Sequence, residues 1–215
     1  MSAEVLIEKV MAEPVKKLLL LIIIQGVCPT TMSKPQEKYR KLLLSEEINA
    51  ASVKAIIEKI LEINEDDDTK ELDYRDWERK PIKLFINSFG GSVYDGLSLV
   101  DVIKQSKTPV HTISVGSSMS MGFWIYLAGH ERYVGENATL MFHDISTAAW
   151  DKLEGIKQEL NEATRLQKMI CKEVTSTSLV KQETLDDYIN RKAEWYIPAE
   201  DAIKLKLANG YYKEG

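Results

Sequence analysis

The sequence predicts an α/β fold with a sheet of parallel type, and three observations carry that expectation. Strand and helix patterns alternate after Pro81: a strand over Ile82–Asn87, a helix over Tyr94–Lys104, a strand over Val110–Val115, a helix over Met121–Ala128 and a strand over Thr139–Phe142. Such alternation is the mark of sheets whose parallel strands are joined by helices. Two turns rich in small residues, Asn87–Ser92 and Gly116–Gly122, each lead from a strand end into a helix, the place where such sheets collect ligands and catalytic groups. Further on, Leu153, Ile156, Leu160, Ala163, Leu166, Ile170 and Val174 step by three or four, which predicts one long helix from Asp151 to Val174 with a single apolar stripe. A stripe of that length packs within its own domain or against a second subunit.

Upstream, Pro14, Pro29 and Pro35 interrupt any long element, so residues 1–39 read as an extension ahead of a domain spanning 40–215. The run Leu18–Ile24 follows Lys16 and Lys17 like the start of a secretory signal, but it is too short to span a bilayer. A buried strand or short helix is the plainer reading, with a signal or anchor as the alternative. From Arg40 a strand is expected over Leu42–Leu44. Ser45 would then cap a helix carrying Val53, Ile56, Ile57, Ile60 and Leu61, and Glu65–Asp68 would form a solvated acidic loop.

Composition excludes several classes. The 215 residues are 44% hydrophobic and 28% charged, the balance of a globular domain rather than a disordered chain. A formal net charge of −5 does not favour a sequence-independent grip on phosphate backbone, so nucleic acid is not an expected partner. Cys28 and Cys171 are too few for a disulfide framework and lack the spacing of a zinc site, so both are expected as reduced thiols. Neither GxGxxG nor GxxxxGK[ST] passes through Gly90, Gly91 and Gly96. No cofactor, metal or membrane association is expected, and the expected location is cytoplasmic.

Ser120 sits where a β-branched strand opens into the apolar helix Phe123–Leu127. Amides in a first helical turn lack internal partners and carry partial positive charge, so an oxyanion formed beside Ser120 would meet donors. Simple N-capping by Ser117, Ser118 or Ser120 explains the same residues, and the GxSxG elbow is absent. The paired glycines Gly90 and Gly91 let backbone approach a bound group and could supply a second donor, or form a plain tight turn. A serine hydroxyl needs a base. His111 lies inside a strand and reads as a sheet-face histidine, His130 follows a helix end and reads as a cap, and His143 closes a strand at the edge where Ser120 stands. A carboxylate must fix the tautomer of that imidazole. Asp144 would face the opposite way if its strand continued, which leaves Glu194, Asp186 and Asp187 open.

Taken together, Ile86–Val93 (INSFGGSV), Ser118–Gly122 (SMSMG) and Leu140–His143 (LMFH) resemble the Clp protease proteolytic subunit family in order and spacing. The resemblance runs from Arg40 to Asn209 and takes in Arg40–Ile48 and Trp195–Ala202. It implies a ClpP/crotonase-like fold, with a stacked β-sheet core, flanking helices and a long projecting handle helix. It also implies Ser120 as nucleophile, His143 as general base, the amides of Gly91 and Met121 as oxyanion hole, and Glu194 where the family commonly has Asp. The resemblance further implies stacked heptameric rings of identical subunits, with an AAA+ ATPase unfoldase partner delivering polypeptide substrates. Phe89 replaces the usual proline before the glycines, and Asp144 stands where a Gln–Pro pair normally follows the histidine. The extension replaces the short segment that forms axial loops, a divergence that would suit a viral or specialised member. The expected activity is therefore a self-compartmentalised serine endopeptidase. A stand-alone maturation peptidase, for example acting on capsid proteins, and a catalytically silent ring subunit are the alternatives.

Overall fold

The computed structural model describes residues 39–146 and 152–214. Up to residue 38 the N-terminal extension, with Leu18–Ile24 and Cys28, lies outside them, as does Asp151, the expected start of the long helix.

Strand β1 (Lys41–Leu44) turns Leu42 and Leu44 into the core. Helix α1 (Ala50–Asp73) begins at Asn49, not Ser45. The Asn49 side chain accepts from the amides of Ala51 and Ser52 while the Ser52 hydroxyl accepts from the Asn49 amide, a reciprocal cap that Ser45 cannot make from four residues upstream. The Ser45 hydroxyl instead accepts from Asn87 Nδ2 at 3.3 Å. The acidic stretch Glu65–Asp68 is helix rather than loop. Asp67 is fully buried there, receiving Arg40 Nη1 at 2.8 Å, Arg40 Nη2 at 2.5 Å and Thr108 Oγ1 at 2.7 Å. Arg79 and Lys107 meanwhile pair with Asp68. A buried acid requires such partners, and their sequence distance hid them.

The next elements are β2 (Ile82–Ser88), α2 (Val93–Gln105), β3 (Val110–Met119), α3 (Met121–Leu127), β4 (Glu131–Val134) and β5 (Thr139–Phe142). Then come α4 (Leu153–Thr177), α5 (Gln182–Asn190), β6 (Trp195–Pro198), α6 (Ala199–Lys204) and β7 (Gly210–Tyr211). Strands β1-β2-β3-β4-β7 pair in parallel, β5 joins β3 in parallel, and β6 pairs antiparallel with β5. The result is an α/β fold with a parallel-dominated sheet, as expected.

β3 holds the architecture together. Its first half, His111–Ser114, pairs with β4, and its last three residues, Ser117–Met119, pair with β5. Against β2 the register slips between Ile86↔Ser114 and Ser88↔Ser118, a bulge centred on Gly116 at φ +83°. A bulge bends its strand and re-aims the residues beyond it, so one strand serves two branches of the sheet. The serine-rich stretch expected as a turn is therefore strand up to Met119. Beneath it Ile82, Leu84, Ile86, Leu99, Ile103, Val110 and Phe123 are buried, each worth about 1.5–3 kcal/mol on transfer from water.

The stripe of α4 divides. Leu166, Ile170 and Val174 are buried against the domain, and Cys171 beside them is a buried free thiol. Leu153, Ile156 and Leu160, nearer the start of the helix, are exposed. The bonds Tyr94 Oη to Glu162 Oε1 (2.7 Å) and Lys104 Nζ to Glu173 Oε2 (2.6 Å) tie the helix to α2. Among the described residues no helix is long and apolar enough to cross a membrane.

Candidate active site

Three serines compete for notice in the stretch between Ser117 and Ser120, and their hydroxyls separate them. Ser117 Oγ donates to Asn87 Oδ1 at 3.1 Å and Ser118 Oγ to Ser114 Oγ at 2.8 Å. Ser120 makes no cap bond, and its hydroxyl has no hydrogen-bond partner among the described residues. Its backbone is in the left-handed region at φ 53°, ψ −120°, where a residue with a Cβ is strained. The strain has a visible origin. Ser120 N–H donates to Met141 O at 3.0 Å, closing the β3–β5 ladder, while Ser120 O accepts from Phe123 N at 3.1 Å to open α3, so strand becomes helix at one residue. This strand-to-helix reversal resembles a nucleophile elbow in which Gly122 keeps the second flanking glycine and Ser118 takes the place of the first.

The other turn adds a second close approach of backbone. A Cβ on Gly90 would lie 2.8 Å from the Ser120 Cβ and 3.1 Å from the Met121 amide, so the backbone passes directly against the elbow. Ile48 N donates to Gly90 O at 2.9 Å and Ser92 N to Ile48 O at 2.8 Å, one on either side of Gly91. In such a parallel bridge the amide of the middle residue faces away, so Gly91 N–H points to the side opposite Ile48. Met121 N–H, first in its helix, has no partner inside it.

Gly91, Ser120, Met121, His143 and Asp144 line one cavity of about 170 Å³. The other histidines are engaged elsewhere. His111 is half-buried on β3, tilted against Tyr133 with ring centroids 6.0 Å apart, and burial holds its imidazole below the usual pKa. His130 does not cap a helix: its Nδ1 accepts from Val110 N–H at 3.1 Å, because β4 brings it beside the start of β3.

Of the three carboxylates left open, Glu194 is the one that shares a cavity with His143. The antiparallel register pairs Met141 with Tyr196 and Phe142 with Trp195, and His143 and Glu194 follow directly on either side of that last pair. His143 and Glu194 line a second cavity of about 290 Å³. Asp187 is engaged by Arg191 at 2.7 Å, and Asp186 accepts from Gln182 while lining a separate cavity between α4 and α5. The orientation argument against Asp144 does not hold, since β5 stops at Phe142 and Asp144 lines the cavity of Ser120 and His143. Among the described residues no hydrogen bond joins Ser120 to His143 or His143 to Glu194. The Glu194 carboxylate accepts instead from the Tyr196 hydroxyl, a partner that no signal in the sequence marks. Unliganded triads are commonly loose and tighten around substrate. A serine hydroxyl, an imidazole and backbone amides lining one cavity are the group types that acyl transfer uses.

A family model described as Clp protease matches residues 30–212, beginning ten residues before the resemblance read from the motifs. A curated ATP-dependent Clp protease proteolytic subunit 2 of Prochlorococcus marinus subsp. pastoris is 30% identical over 171 residues, covering 78% of this chain and 79% of that relative. A proteolytic subunit 1 of Borreliella burgdorferi is 29% identical over 171 residues, with 78% and 81% covered. Among solved structures, a ClpP1 variant from Listeria monocytogenes superposes with a TM-score of 0.68 at 22% identity, over 81% of this chain and 92% of that one, and shares the fold. With most of its length matched by that family model, the chain belongs to the Clp protease family.

Proposed function

We propose that this protein is a serine endopeptidase that cleaves unfolded polypeptides through an acyl-enzyme, as the proteolytic subunit of a self-compartmentalised complex. The observation that carries the reading is the uncommitted hydroxyl of Ser120, held at a strained elbow on the cavity that His143, Gly91 and Met121 also line. Ser120 Oγ attacks the scissile carbonyl while His143 takes its proton, later returned to the leaving amine. Glu194, sharing a cavity with His143, stabilises the imidazolium formed on attack, and the amides of Gly91 and Met121 receive the oxyanion. The exposed Leu153, Ile156 and Leu160 on α4 support assembly between subunits, stacked heptameric rings being the arrangement the family resemblance implies. Inside a closed chamber, specificity comes from access rather than from a selective pocket, so an AAA+ unfoldase is the partner expected to deliver chains.

Ser120→Ala is expected to lower turnover of a fluorogenic peptide by about a millionfold while oligomer mass stays the same. Wild-type turnover in that variant, or no adduct at Ser120 after treatment with a fluorophosphonate, would refute the assignment.

A further inference from the structure

We infer that Tyr196 is a positioning residue for the same site: its hydroxyl braces one oxygen of the Glu194 carboxylate so that the other is presented to His143. The inference rests on the triad proposed above and adds a fourth side chain to it.

Tyr196 lies on β6 and Glu194 is the residue just before it, two apart, and the hydrogen bond between them brings both side chains to one side of the chain. The phenol donates to Glu194 Oε2, while Oε1 has no hydrogen-bond partner among the described residues. The register sets Tyr196 across from Met141, two residues before His143, with its backbone fixed by the ladder to β5 and by the buried Ile197 beside it. The backbone that carries the phenol is thus held in the ladder, whereas the carboxylate stands on the chain segment before the strand; both side chains are exposed.

The need for a brace comes from the residue type. Glutamate has one more rotatable bond than aspartate and loses more rotamer freedom when held in a single orientation. A phenol with two torsions, standing on a paired strand, restrains it without competing for both oxygens. The carboxylate in turn raises the phenol's pKa above its ordinary value through their hydrogen bond, so Tyr196 remains a donor across the neutral range. No proton changes hands in this contact. Tyr196 acts through Glu194 and does not touch substrate.

The test uses the full chain as wild type, Tyr196→Phe, Glu194→Ala and the double variant. Two readouts are the rate of fluorophosphonate labelling at Ser120, which needs neither unfoldase nor natural substrate, and kcat and KM on a fluorogenic peptide. Tyr196→Phe is expected to lower labelling rate and kcat by roughly threefold to tenfold, the value of one hydrogen bond, with KM unchanged. In the Glu194→Ala background it is expected to cost nothing further, a coupling that a merely structural tyrosine would not show. Unchanged or faster labelling in Tyr196→Phe overturns the inference, the faster result meaning that the phenol draws the carboxylate away from His143. An equal loss with and without Glu194 overturns it too. If Glu194→Ala alone leaves both rates intact, the triad assignment fails along with the brace, and if wild-type Ser120 takes no label the peptidase reading itself fails.

Discussion

Ser120 combines the two properties that a nucleophile position demands, an unengaged hydroxyl and a backbone that holds it out of the regular ladder. The second has a thermodynamic consequence that does not depend on function. Glycine occupies φ 53°, ψ −120° without a Cβ clash, whereas serine and alanine do not. Ser120→Gly is therefore expected to be more stable than Ser120→Ala by about 1 kcal/mol, read as a higher urea midpoint at unchanged slope. Equal midpoints would show that the elbow is relaxed. The same crowding explains Gly90, where any side chain would begin 2.8 Å from the Ser120 Cβ. The serine is legible in the sequence as a strand-to-helix junction. Its strain is not, because the dihedral depends on β3 continuing to Met119 and pairing with β5.

At the scale of elements, α1 shows how a charge run misleads. The acidic run places Asp67 in solvent with its neighbours, yet it is the buried end of an ion pair that fastens α1 to the start of β1 through Arg40. Burial alone would raise its pKa, but the hydrogen bonds from Arg40 and Thr108, the Arg40 charge and the Trp77 bond outweigh it and hold the carboxyl below the usual range. A depressed folded-state pKa contributes stability that is present above the unfolded value, near 3.8, and is lost as pH falls through the lower folded value. Asp67→Ala is expected to cost about 3–5 kcal/mol at neutral pH, since the buried Arg40 loses the carboxylate that offsets its charge. The variant should also lose part of the acid-limb decline in a stability-against-pH curve, and an unaltered limb would mean that Asp67 does not contribute to it. Cap identity departs from the sequence expectation for a related reason: Ser45 and Asn49 are both good N-caps, and only the pairing of Ser52 with Asn49 selects between them.

For the whole molecule, α4 poses the sharpest question. One stripe read from a helical period serves two environments, with Leu166 and Ile170 inside the domain and Leu153 and Leu160 outside it. Leu160→Glu is expected to leave the subunit folded by circular dichroism while lowering the oligomer mass measured by light scattering, because it puts charge on the exposed apolar face proposed to meet another subunit. Leu166→Glu, on the same stripe, is expected to unfold the subunit instead, since a buried unpaired carboxylate has no neighbour to offset it. An oligomer unaffected by Leu160→Glu would remove α4 from the assembly interface.

Periodicity and turn chemistry determined the local features. The alternating strands and helices, the long α4, the glycine pair and the serine at the junction all arise from backbone hydrogen bonding and steric preference over a few residues, and Gly91, Ser120, Met121 and His143 could be named on that basis and the family's motifs. The tertiary structure alone decided which distant residues come together: Arg40 with Asp67, Ile48 with Gly91, and His143 with Glu194 on one cavity. Those encounters depend on sheet register, and register is set by how the two apolar faces pack together, a property of the whole chain that no short window of sequence contains.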